Sequence, residues 1–369
     1  AALTEAAPAG LRHRLRRAVG RRAGRRRRPG RGGLTRRSSL VLTIAAAVLS
    51  AVLLVVAVVL ARDEGAPAVP TTPAVPPAAN SAVRIDPATY DPVAAVAVGT
   101  DPSAVVVGGG LVWVANRRDG TVTVVDPGTN RVQETIPPSG SWPDGQGGPG
   151  LAFASGSVWI PNAKQGQVAR VEPGSDPTHI PMDASPSAIA APPDADIVWV
   201  AGRTRSGGGL LARIDARTNQ VDPTIPLRHT PSGLAVAADG GTVWTVTTKD
   251  RTLRSFDTRT GDPGEPVRLG RAPDQVAVGE GAVWVTSSGS DTVLRVDPAA
   301  ARSKEIRVGN GPSGIAYGAD RVWVANSRDG TVSAIDPRTR EVATRRLGFR
   351  PAAVAVVAEQ RAVWVALAG

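Results

Sequence analysis

Seven times between residues 112 and 365 the chain returns to one short pattern, a valine, a tryptophan and a further apolar or β-branched residue. The copies are Val112-Trp113-Val114, Val158-Trp159-Ile160, Val198-Trp199-Val200, Val243-Trp244-Thr245, Val283-Trp284-Val285, Val322-Trp323-Val324 and Val363-Trp364-Val365, with tryptophans spaced by 46, 40, 45, 40, 39 and 41 residues. A second landmark, an acid following an apolar residue, also recurs seven times: Asp86, Asp126, Glu172, Asp215, Asp257, Asp297 and Asp336. A period near forty residues means that each repeat is one supersecondary unit, unable to bury its apolar face except against its neighbours. Short apolar runs separated by Gly, Pro and Asp make that unit a set of strands and turns; the 41 glycines and 32 prolines of the 369-residue chain suit it.

The copy from Pro312 to Gly348 shows the plan most clearly. Residues 314–317 and 321–326 read as two strands, Asp329-Gly330 as a turn, residues 331–335 as a third strand, Asp336-Pro337-Arg338-Thr339 as a second turn, and residues 341–346 as a fourth strand. Asp-Gly between apolar runs suggests a type I′ hairpin, because glycine tolerates positive φ. Asp-Pro supplies the acceptor and the fixed φ of a type I turn. Four antiparallel strands in about forty residues, repeated, describe β-propeller blades. The last copy stops after its second strand, whereas residues 81–98 (SAVRIDPATYDPVAAVAV) align with the third and fourth strands of the Pro312 copy. The expected architecture is therefore an all-β, seven-bladed propeller over residues 80–369, closed by N-terminal strands that complete the last blade. Closure of this kind also removes open sheet edges.

The repeats resemble the YVTN, or YncE-like, propeller family, with kinship to NHL and streptogramin-lyase propellers. The residues that carry this are Val322-Trp323-Val324-Ala325-Asn326, Asp329-Gly330-Thr331-Val332 and Ile335-Asp336-Pro337-Arg338-Thr339, with a nearly identical copy at Val112 to Asn116, Asp119 to Val122 and Val125-Asp126-Pro127. Such repeats are scaffold signatures, strong for fold and weak for activity. Streptogramin lyases carry a Trp-Phe-Thr-Glu run and an acid–x–His pair; here the run reads Trp323-Val324-Ala325-Asn326 or Trp284-Val285-Thr286-Ser287, and no acid stands two residues before a histidine.

The remainder of the chain reads differently. Residues 1–39 hold 13 arginines and one acid, Glu5, a charge of +12 against +11 for the whole chain, so residues 40–369 carry about −1. This tail runs directly into residues 40–61, 22 residues without a charge, which as a helix would span roughly 33 Å, enough for a bilayer core of about 30 Å. Arginines on one side and Arg62-Asp63-Glu64 on the other place the tail in the cytoplasm and the rest outside by the positive-inside rule. The arginines read as topogenic and lipid-binding rather than as a nucleic-acid site. Arg36-Arg37 resembles a twin-arginine export signal, but the apolar stretch is longer than a cleaved signal and lacks a clean A-x-A site, which favours an uncleaved anchor. Residues 62–79 are Pro/Ala-rich and read as a semi-rigid stalk. The chain begins at Ala1 and its only methionine is Met182, so the expectation is a C-terminal part of a longer chain. A single-pass anchor with an outward propeller is similar to receptor-type kinases or regulators, which would put an intracellular domain upstream.

Little in the composition supports catalysis. No cysteine occurs, which excludes disulfides, catalytic thiols and Cys-ligated metals; three histidines, His13, His179 and His229, do not suggest a multi-histidine centre, and no cofactor is expected. The motif tryptophans read as wedges between sheets and the repeated acids as turn-formers. Gly145 to Gly150 and Gly207-Gly208-Gly209 join no strand to a helix, so neither is a phosphate cradle. Asp194-Ala195-Asp196 falls short of the roughly six to eight oxygens calcium needs. What remains is one loop face, where loops from second to third strands and between blades surround the channel mouth. It carries Arg117, Arg203, Arg271 and Arg350. It also carries His229, the only plausible base, in the loop entering the fourth blade, and Trp142, the one tryptophan outside the repeat, in an insertion at 137–149. A second insertion spans 203–209. These six residues are the candidate contacts for a protein or small-molecule ligand. The expected function is an extracytoplasmic, non-catalytic binding or sensing module; the alternatives are a propeller lyase using His229 and a structural envelope scaffold.

Overall fold

In the computed structural model the described residues are 75–137, 150–192, 195–357 and 361–369. The expected arginine-rich tail, membrane helix and most of the stalk lie outside them, as does Trp142. Among the described residues no helix is long and apolar enough to cross a membrane.

The described chain forms seven four-stranded antiparallel sheets. Numbering blades by their inner strands, blade 1 starts at Pro102–Gly108, blade 2 at Ala152–Ala154, blade 3 at Ala184–Ala190, blade 4 at Gly233–Val236, blade 5 at Pro273–Gly279, blade 6 at Pro312–Gly318 and blade 7 at Arg350–Val357. Blade 7 is the composite: its two inner strands, Arg350–Val357 and Ala362–Ala368, are followed outward by Ser81–Ile85 and Pro92–Ala97. Val83 stands opposite Val365, and Ala82 opposite both Ala366 and Val96. The ring is sealed by chain ends, as the sequence alignment requires. Residues 75–79, the end of the expected stalk, lie on this blade, with the Val75 N–H donating to the Pro92 carbonyl at 3.1 Å.

The valines and the tryptophan of each second strand belong to seven apolar clusters, one per blade interface. Each cluster holds one motif tryptophan together with residues of the next sheet: Trp113 with Val158 and Ile160, Trp284 with Val322 and Val324, Trp323 with Val363 and Val365, Trp364 with Val112 and Val114. None of the seven is more than 9% exposed. An indole burying about 150–250 Å² contributes roughly 4–6 kcal/mol of gross transfer energy. In four of the seven the N–H reaches the carbonyl closing its own inner strand: Trp113 to Gly108 at 3.1 Å, Trp159 to Ala154 at 3.2 Å, Trp284 to Gly279 at 3.0 Å and Trp323 to Gly318 at 3.2 Å; Trp364 Nε1 is buried without a partner. Arginines clip the outer seam of two interfaces. Arg84 donates to Pro127 O across the closing seam at 3.1 Å, and Arg170 to Ala216 O at 2.8 Å.

The turns also explain the motif, with corrections. The asparagine ending Val-Trp-Val-Ala-Asn is buried; Asn326 Nδ2 donates to Thr331 Oγ1 (3.0 Å) and Ser333 Oγ (2.9 Å), holding the start of the third strand. Gly309 packs against this group, and a Cβ there would stand 2.4 Å from Thr331 Oγ1. The Asp329-Gly330 connection is not a type I′ hairpin. Asn326 pairs with Thr331, which leaves four loop residues, and only Gly330, at φ 69°, is left-handed. Asp329 instead turns inward and accepts the Asn310 N–H at 2.7 Å. Six of the seven repeated acids cap the next turn through backbone N–H groups, as Asp336 does for Arg338 (2.9 Å) and Thr339 (3.0 Å). Glu172 departs from this: it takes Ser157 Oγ at 2.8 Å and Arg170 at 2.6 Å. The 203–209 insertion is no separate loop, since it lengthens the hairpin of Ile197–Thr204 and Gly209–Asp215, with Arg203 opposite Gly209.

Two outcomes follow. Trp284→Ala should cost about 3–5 kcal/mol in chemical denaturation, and a loss below 1 kcal/mol would show that the wedge is not stabilising. The turn acids Asp126, Asp215, Asp257 and Asp336 are held below the ordinary 3.8, mainly by the backbone N–H groups they accept. Their stabilising effect is therefore complete above the ordinary carboxylate value and is lost as pH falls through the depressed values. Replacing all four by Asn should flatten the dependence of unfolding stability on pH between about pH 5 and pH 2, measured by denaturant titration at each pH.

Candidate functional site

Inner strands of all seven sheets enclose a central cavity of about 560 Å³, within the size range of small-ligand sites. Its wall is mostly backbone, alanine and valine, with polar side chains from Ser103, Gln275 and Ser313. At one mouth the inner strands begin with a proline and a β-bulge, as at Pro312/Gly314 and Pro186/Ala188. The bulged residue is re-aimed sideways and ties one blade to the next. Ser187 Oγ reaches Pro231 O at 3.2 Å, Ser232 Oγ reaches Asp274 O at 3.1 Å, and Ser313 Oγ reaches Pro351 O at 3.2 Å. The recurring Pro-Ser dipeptide (Pro102-Ser103, Pro186-Ser187, Pro231-Ser232, Pro312-Ser313) was the signal for this throat.

Blade 5 carries Asp274 where its neighbours have serine. The carboxylate is mostly buried, and desolvation pushes its pKa up, outweighing the hydrogen bond from Gln275 Nε2 at 3.4 Å.

Around the mouth lie the loops between second and third strands and those between blades. The residue two before the inner-strand proline lies on this rim in five blades, as Thr100, His229, Arg271, Asn310 and Phe349. Phe349, 37% exposed, is an aromatic that the sequence analysis passed over; its place in that series could have found it. The structure brings Arg117 and Arg350 together across the closing seam. Both hold Asp101, at 2.6 Å and 3.3 Å, and the Asp101 N–H in turn donates to Asn80 Oδ1 at 3.0 Å. His229 Nε2 lies 3.3 Å from Asp250 Oδ1, with the imidazole half-buried. Arg203 and Arg271 are exposed and apart from these pairs. His179 lies on an outermost strand beside Gln167. Asp196 is engaged by Ser155 and Arg217, and no group of three metal-ligating side chains occurs among the described residues.

The carboxylates of the face are largely committed to holding loops. Asp119 accepts the Thr100 N–H at 2.7 Å, Asp291 the Gly311 N–H at 2.9 Å, and Asp329 the Asn310 N–H and Thr331 Oγ1. Beyond Arg117 and Arg350, which hold Asp101, most basic residues are not so engaged. Arg118, Arg203, Arg205, Arg228, Lys249, Arg251, Arg271 and Arg328 are all exposed, with no carboxylate partner among the described residues. The face can therefore attract negative charge without first breaking an ion pair.

Comparison of structures places this architecture among known propellers. The chain is similar to a streptogramin B lyase (TM-score 0.61, 18% identity, 73% of this chain and 91% of that one). It is also similar to virginiamycin B lyase from Staphylococcus aureus (0.59, 14%, 72% and 94%) and to hydrazine synthase of Kuenenia stuttgartiensis (0.60, 15%, 74% and 97%). At these identities the likeness is one of fold: the protein is a seven-bladed β-propeller whose fold is similar to that of streptogramin lyase. Sequence comparison gives no match to a family model and none to a curated protein.

Asp274 yields a check on the throat. Its pKa is higher folded than unfolded, so its contribution to native stability falls as pH rises through the folded value. Asp274→Asn should therefore stabilise the protein at neutral pH and do so less at about pH 4, near the unfolded value. An equal effect at both pH values, by denaturant titration, would refute the burial argument.

Proposed function

We propose that this chain is an extracytoplasmic binding module, a YVTN-like propeller tethered by its apolar segment at residues 40–61, whose ligand docks on the loop face around the central mouth. The observation that supports this reading is the division of charge there: Asp119, Asp291 and Asp329 tied to loop backbone, and eight basic side chains exposed without a carboxylate partner among the described residues. A rigid scaffold presenting variable loops suits recognition. An intracellular domain upstream of residue 1 would make the module a sensor.

A second reading is favoured by one contact. Asp250 Oδ1 lies 3.3 Å from His229 Nε2 without a hydrogen bond between them, within reach of the pairing by which a carboxylate orients an imidazole for proton transfer, and the lyase neighbours share the fold. In that reading His229 is the base of a lyase reaction at the same mouth, and His229→Ala abolishes turnover while leaving the ring folded.

The chain has no cysteine, so single-cysteine variants report position cleanly. An impermeant maleimide should label Lys249→Cys on intact cells and Arg16→Cys only after permeabilisation. A photo-crosslinker at Lys249→Cys should capture ligand, whereas one at Arg340→Cys, on the opposite turn face, should not. Labelling of Arg16→Cys on intact cells would overturn the topology, and capture from the turn face alone would overturn the docking face.

A further inference from the structure

We propose that the ligand of the loop face is a flexible phosphate-bearing polymer without bases, held along the rim by successive basic loops; this rests on the docking face proposed above. The argument begins with position. Arg118, Lys249 and Arg328 occupy the same place in the second-to-third-strand loops of blades 1, 4 and 6, each exposed and without a carboxylate partner among the described residues. Arg205 and Arg271 add free cations in blades 3 and 5. Packed sheets stand about 10 Å apart, so one small anion reaches one or two of these groups, whereas a chain with a charge every few ångströms can meet them in turn.

The carboxylates of this face keep their charge and offset the field only in part, being fewer than the arginines and lysines beside them. Asp101 is shared by two arginines, Asp119, Asp291 and Asp329 accept backbone N–H groups, and Asp250 lies against His229. Asp274 in the throat has its pKa raised by burial; Asp183 is exposed and is, among the described residues, the one acid of the rim outside these contacts. Guanidinium groups match phosphate oxygens in geometry as well as charge. A lipid surface fits less well, because Phe349 is the one exposed large apolar side chain of this face among the described residues and interfacial binding needs buried apolar area. A single-stranded nucleic acid fits less well for the same reason, since base-stacking platforms need several aromatics.

The test uses the full chain in detergent, with arginine modification by phenylglyoxal read peptide by peptide, so that the arginine-rich tail and the propeller report separately. Inorganic polyphosphate should protect Arg118, Arg271 and Arg328, leave Arg259 and Arg340 on the turn face reactive, and act at a phosphorus concentration at least about tenfold below that of orthophosphate, the multivalent gain expected of linked charges. Lys249→Gln combined with Arg205→Gln should raise the polyphosphate concentration needed, while Arg259→Gln with Arg340→Gln should not. Equal potency of orthophosphate would replace the polymer by isolated anion sites. Protection by phosphatidylglycerol vesicles at lower phosphorus than polyphosphate would replace it by a membrane surface. Protection confined to the tail would overturn the polymer while leaving the face open to another ligand, an outcome distinct from crosslinking at the turn face, which removes the face itself.

Discussion

Each tryptophan of the repeat is a wedge between two sheets, and the ring exists because seven such wedges close on themselves. A blade alone exposes two apolar faces; its indole is buried by the next sheet and its flanking valines by the preceding one. That makes stability a sum of neighbour terms, and it makes blade 7, where strands from the two ends of the chain pair in one sheet, the link on which closure depends. Trp364 packs against blade 1, and Trp323 against strands that include Val83 and Ile85 from the N-terminal side. Closure converts a stack with two exposed faces into one with none.

With packing assigned to the interfaces, polar groups divide between the two rims. On one, acids at strand ends accept backbone N–H groups within their own turns, which keeps Asp126, Asp215, Asp257 and Asp336 ionised to lower pH. On the other, acids reach across to the adjacent loop, and Ser187, Ser232 and Ser313 link each blade to the next at the throat. Because carboxylates there serve the backbone, the arginines and lysines of the same loops are left to solvent. A charged rim is thus a by-product of how the loops are held, and any recognition built on it inherits a rigid spacing.

Much of this was legible in the residues. Tryptophan spacing fixed the number of blades, the strand limits of the Pro312 copy were right to within two residues, and the alignment of residues 81–98 with 331–347 gave the closure. Local chemistry was less readable. Asp-Gly suggested a tight hairpin, but a four-residue loop meets the same demand for one left-handed residue, and Asp329 was recruited across blades. Arg117 and Arg350 were separate candidates in sequence; Asp101 joins Arg350 across 249 residues, a pairing that only ring closure creates. Glu172 shared the landmark but, one methylene longer than aspartate, reaches Ser157 and Arg170 instead of its own turn. Phe349 and the throat serines were visible as recurrences before and after the inner-strand proline, a series that counting tryptophans did not bring out.

Amide hydrogen exchange in Ser81–Ile85 tests ring closure most directly. If the first described strand is a full member of blade 7, its amides exchange as slowly as those of Ala362–Ala368, through the same cooperative opening. Exchange at the rate of a frayed terminus, with Ala362–Ala368 still protected, would contradict a ring sealed by its own chain ends.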